Sequence, residues 1–145
     1  MSKSDAFEQA LLDLIFLNTD IANIGDAAGL QNSAAAGSLY VALHTADPGE
    51  AGTQSTSEIA YTGYARVAVA RSGVGWTRTG NSISPAANID FGACTAGSGT
   101  ATHFSVGALS SGAGLILYKG AISPTIAVSS GVTPRLTTAT AVTED

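Results

Sequence analysis

Charged residues are scarce in this chain. Asp, Glu, Lys and Arg make up 12% of its 145 residues, against roughly 25% in an average soluble domain. Histidine occurs twice, and cysteine and tryptophan occur once each. Because most catalytic sites bring together several His, Cys, Asp, Glu or Lys side chains, this composition argues against an enzyme. We expect no catalytic residues, no cofactor and no bound metal.

Cysteine pairs and long apolar runs are also missing. The one cysteine, Cys94, cannot form an internal disulfide, and no Cys/His spacing resembles a zinc site. We interpret its side chain as a small, partly buried apolar group. The longest apolar run, residues 14–17, is far shorter than the ~20 residues that span a bilayer. With no convincing signal peptide, we expect synthesis in a cytoplasm and no membrane partner.

Basic residues are too few and too scattered for a nucleic-acid site. The chain has six Lys and Arg residues against eleven acids, whereas nucleic-acid binders cluster Lys and Arg around aromatic side chains. The charge is unevenly divided, since residues 1–58 hold eight acids and one base and residues 59–145 hold three acids and five bases. The two halves either complement each other between subunits or form an ordinary solvated surface; the second is the simpler interpretation.

Ala, Gly, Ser and Thr make up about half of the chain. The first residues show the pattern of an amphipathic helix. Phe7, Leu11 and Ile15 recur at four-residue spacing, which predicts a helix with an apolar stripe. A second short helix over residues 20–28 and a connector over residues 29–37 are weaker predictions. The stripe either covers an open end of the domain or packs against another copy or protein, and we favour packing within an assembly.

From residue 38 onward, apolar residues recur at every second position instead of every third or fourth. Leu39, Val41 and Leu43 alternate with less apolar neighbours, as in a half-buried strand. Similar segments, separated by Gly-rich turns, are centred on residues 65–70, 75–78, 89–91, 100–106, 115–118, 125–128 and 136–143. About eight short strands after one or two helices predict a mainly β protein, a jelly-roll-like antiparallel β-sandwich. We divide the chain into an N-terminal helical segment and connector, residues 1–37, and a β-sandwich domain, residues 38–145.

The loop over residues 45–58 begins at the first of the two histidines. His44 and Asp47, with Glu50 nearby, have the residue types of a catalytic dyad or a metal site, but three scattered donors are a weak signal. A structural histidine that braces the loop is the stronger hypothesis. Whether this loop holds a metal ion stays open at this point.

The loop leads into a segment with a more particular composition. Glu58, Tyr61, Tyr64 and Arg66 lie within nine residues of each other. Tyr and Arg are enriched at the centres of protein interfaces, but a Glu–Arg ion pair and buried tyrosines would equally brace the fold. Both interpretations stay open. The candidate interface side chains are Phe7, Leu11, Ile15, Asp47, Glu50, Glu58, Tyr61, Tyr64 and Arg66.

Residues 39–52 and 58–66 together resemble a family of small structural proteins of tailed bacteriophages. Shorter pieces follow in the same order at residues 75–76, 89–91, 102–104 and 112–115. Members of this family are labelled tail-fibre-like proteins or head decoration proteins. The resemblance covers residues 30–145 and implies a virion component with a β-sandwich fold and no catalytic residues to carry over.

The resemblance leaves the place of the protein on the particle open. Because the chain is one small domain without a repetitive shaft, our leading hypothesis is a capsid decoration, or cement, protein. It would form a homotrimer, bind the major capsid protein and bridge capsomers on the capsid surface, after synthesis in the cytoplasm of the bacterial host. The alternative is a tail-tip or tail-fibre-associated subunit that contacts the host surface. A hydrolase that uses His44 and Asp47 is the third and weakest hypothesis.

Overall fold

A computed structural model describes residues 2–145, and within them the chain is mainly β, as predicted, with one helix. The helix is α1 (Asp5–Leu17). The strands are β1 (Ser38–His44), β2 (Val67–Ala70), β3 (Trp76–Thr79), β4 (Ser82–Pro85), β5 (Ile89–Asp90), β6 (Gly99–Gly107), β7 (Ile116–Val128), β8 (Arg135–Leu136) and β9 (Val142–Thr143). The pairings between β1 and β6, β3 and β4, β4 and β9, β5 and β8, and β6 and β7 are antiparallel. This strand content fits the predicted β-sandwich.

The chain forms two compact units. The helical unit comprises the chain up to Ser38, Ala70–Asn88 and Thr137–Asp145, and the β unit comprises Leu39–Val69 and Ile89–Leu136. The helical unit contains α1 and the sheet β3-β4-β9, while the β unit holds the body of the sheet β2-β1-β6-β7 and the ladder β5-β8. The domain boundary between residues 37 and 38 stays a prediction.

Helix α1 is fixed at both ends by local hydrogen bonds. The Ser4 hydroxyl accepts a bond from the Phe7 amide at 3.4 Å, and Asn18 ends the helix in a left-handed conformation with φ 56°. Its fully buried apolar side chains are Leu12 and Phe16. Phe16 packs edge-on against the Trp76 ring of β3, with 4.7 Å between ring centroids. This contact anchors α1 in the helical unit.

Residues 20–28 form bends and turns rather than a second helix. Asn23 and Gly25 have positive φ values of 64° and 82°, which interrupt any helix. The Asp26 carboxylate accepts hydrogen bonds from the Ala28 and Gly29 amides, and local bonds of this kind favour a turn. A backbone bridge between Ile21 and Leu30 closes the segment.

The sheet β2-β1-β6-β7 differs from the prediction at its edge strand, β7. Two strands were expected over residues 115–118 and 125–128, but β7 runs through both as one strand of 13 residues. Its pairing with β6 skips from Ala121 to Ile126. Pro124 lies in the skipped stretch, because a residue without an amide hydrogen cannot contribute to a ladder.

Candidate functional site

His44, at the end of β1, is fully buried and braces the loop that follows it. Its Nδ1 lies 2.9 Å from the Thr56 carbonyl oxygen and its Nε2 lies 2.8 Å from the Ser105 hydroxyl oxygen. Since a carbonyl oxygen only accepts, Nδ1 carries the hydrogen and Nε2 accepts from Ser105. This is the structural histidine that the sequence favoured.

The hydrolase hypothesis paired His44 with Asp47, and the structure gives these side chains different partners. Asp47 accepts from the Gly49 amide and from Lys119, both at 2.9 Å. The Ser105–His44 contact resembles a serine nucleophile with its base, but both side chains have no exposed surface. A substrate therefore cannot reach the Ser105 hydroxyl in this structure.

His44 makes stability depend on pH. Burial lowers the pKa of its imidazole below the ordinary 6.5, so the unfolded chain binds a proton more readily than the folded chain. Stability from this group is complete above pH 6.5 and is lost as the pH falls below it. We expect urea denaturation of His44→Asn between pH 8 and pH 5 to show a weaker pH dependence than the native chain. His103→Asn is the control. If the free energy of unfolding of His44→Asn changed with pH as steeply as that of the native chain, the prediction would be contradicted.

The Glu58–Arg66 pair is the most buried ion pair among residues 2–145. The Arg66 side chain is 2% exposed and that of Glu58 is 19% exposed. The guanidinium donates from Nε and Nη2 to the two carboxylate oxygens of Glu58, both at 2.7 Å. Hydrogen bonding to Glu58 raises the pKa of Arg66. The two-point geometry holds both side chains in one orientation.

Arg66 also holds the turn between β6 and β7. Its guanidinium donates to the carbonyl oxygens of Leu109, at 2.9 Å, and Gly112, at 2.7 Å. The fully buried Gln54 side chain binds the same turn, because its carbonyl oxygen accepts from the Leu109 amide at 3.0 Å. Its amide nitrogen donates to the Tyr40 carbonyl at 3.0 Å. Two buried polar side chains thus fix the backbone of a turn whose Leu109 side chain is exposed.

Both tyrosines of this segment are tied into the β unit. Tyr64 donates to Glu58 at 2.9 Å and accepts from the Leu43 amide at 3.1 Å. Tyr61 donates to the Gly92 carbonyl at 2.8 Å. Burial raises the pKa of both phenols above the ordinary 10, and more strongly for Tyr64, so both remain protonated donors at neutral pH. Internal bracing is therefore shown for these side chains, while their role as an interface stays a prediction.

A surface groove of about 740 Å³ lies over this network. Glu58, Tyr61, Tyr64 and Arg66 line it, together with the 110–112 turn. The Tyr64 ring is stacked on Phe91, with 6.2 Å between centroids, and the Tyr61 ring packs on its edge at 5.4 Å. Because the charges of the groove neutralise each other and its rings pack on one another, it offers a ligand little unpaired chemistry.

Asp47 and Glu50, the acids of the 45–58 loop, pair with a lysine of β7. Lys119 Nζ lies 2.9 Å from Asp47 and 3.2 Å from Glu50. Hydrogen bonding to the Gly49 amide, then to Lys119, lowers the pKa of Asp47. Within residues 2–145, no three His, Cys, Asp or Glu side chains lie close enough to hold a metal ion.

Ion pairs within the chain neutralise part of the opposite charge bias of the two halves. Acids of the first half pair with bases of the second half at several places: Asp13 with Arg78, Asp47 and Glu50 with Lys119, and Glu58 with Arg66. Lys3, the only base of the first half, pairs with Glu144. Half of the acids of the first half therefore pair within the chain, an option that the sequence alone did not indicate.

On α1, the predicted stripe lies beside the buried face rather than on it. Phe7 is 37% exposed, and Leu11 and Ile15 are partly exposed. Helical spacing alone predicts an apolar face and leaves its direction open, because the chain that covers it is distant in sequence. These three residues belong to the helical unit, and Glu58, Tyr61, Tyr64 and Arg66 belong to the β unit.

Sequence reasoning missed two side chains that organise the molecule. Gln54 was an unremarkable polar residue of a loop. Arg71 donates to the carbonyl oxygens of Leu14 and Ile15 at the end of α1, both at 2.7 Å, and to that of Ala36 at 3.2 Å. A basic side chain at the carboxyl end of a helix satisfies carbonyls that lack helical partners. No local pattern signals this role, because Arg71 lies over 50 residues from the helix.

Comparison with known proteins assigns the chain to a family. A family model described as Podophage GP4 fiber I protein gp80 matches residues 2–143. The chain belongs to this family. It is a bacteriophage structural protein of the fibre type, which agrees with the resemblance noted in the sequence, and the family is not one of enzymes. No curated protein matches the chain, and among residues 2–145 there is no helix long and apolar enough to cross a membrane.

Proposed function

We propose that this protein is a non-enzymatic structural subunit of the phage tail-fibre assembly. The observation that carries the proposal is the family match over residues 2–143, whose description names a fibre protein. A head decoration protein was the leading hypothesis from the sequence, because the chain is one small domain without a repetitive shaft. The family description names a fibre protein and therefore supports the alternative, a tail-fibre-associated subunit. The homotrimer expected for the head decoration role is retained as the proposed state of the fibre subunit.

The β unit supports a structural role. Its polar side chains form hydrogen bonds within the chain. Arg66 donates to Glu58 and to the turn at residues 109–112, and His44 donates to the 45–58 loop. Loops held in this way keep one conformation, so little ordering entropy is lost when they bind a partner. In a trimer, three such surfaces engage host or virion partners together, which raises avidity.

The test is to locate and count the protein in purified virions. Immunogold labelling is expected to mark tails, and quantitative mass spectrometry is expected to give a copy number close to that of other tail proteins. Label over the head, with a copy number comparable to that of the major capsid protein, would instead support the capsid decoration role. Virions that lack the protein are expected to keep intact heads and to lose adsorption to host cells.

A further inference from the structure

No further inference is drawn: the strongest candidate, the outer edge of strand β7 in the sheet β2-β1-β6-β7, is of the kind that pairs with an extended strand of another chain, but nothing in the structure shows what covers it.

Discussion

Arg66→Met is expected to lower the free energy of unfolding by about 3–5 kcal/mol, the usual loss when one partner of a buried ion pair is removed. The change leaves the Glu58 carboxylate without its cation in a site where it is 19% exposed. It also leaves the carbonyl oxygens of Leu109 and Gly112 without their donor. Urea denaturation followed by circular dichroism measures the effect.

Arg135→Met is the matched control for this prediction. Arg135 also donates from Nε and Nη2 to the two oxygens of a carboxylate, that of Asp90. Its side chain is 53% exposed and that of Asp90 is 45% exposed, so the pair is screened by water and its loss is expected to lower the free energy of unfolding far less than the loss of the Glu58–Arg66 pair. Equal losses in Arg66→Met and Arg135→Met would show that burial does not set the strength of the Glu58–Arg66 pair.

Leu12→Ala is expected to destabilise the helical unit by about 2–5 kcal/mol, because it opens a cavity in a fully buried site. Leu12 has no exposed surface and lies one helical turn before Phe16, whose ring packs on Trp76. Trp76 is the only tryptophan of the chain, so its fluorescence during urea denaturation reports on this unit.

The control for Leu12→Ala is Leu30→Ala, the same change in the same unit. Leu30 is 43% exposed, and its truncation is expected to change the free energy of unfolding by no more than about 0.5 kcal/mol. If both substitutions shift the Trp76 transition equally, the Leu12 side of α1 is not the face that the helix buries.

The alternation of apolar residues was enough to predict most of the β structure. The strands that contain Leu39, Val41 and Leu43 and residues 100–106 lie where the sequence places them. The strand β4 (Ser82–Pro85) was missed, because a four-residue strand with a single large apolar side chain has no distinctive period. The continuity of β7 was missed because a proline usually ends a strand. In β7, Pro124 lies in a stretch that the pairing with β6 skips, so the strand continues past it.

The sequence predicted which residues form the candidate site, but it did not predict the distant residues that they contact. Glu58, Tyr64 and Arg66 are close in sequence, so their contact was open to local reasoning. The partners that bury Arg66, the carbonyls of Leu109 and Gly112, are more than 40 residues away and form no pattern with it. Lys119 was not associated with Asp47 for the same reason.

The sequence by itself determined the class of this protein. Few charged residues, two histidines and one cysteine argue against common kinds of active site, and the alternating pattern after residue 38 requires a mainly β fold, since both depend only on residue type and local spacing. Only the tertiary structure decided which charges neutralise each other and which side of α1 is left partly exposed. Those features depend on contacts between residues far apart in the chain, which composition and period do not encode.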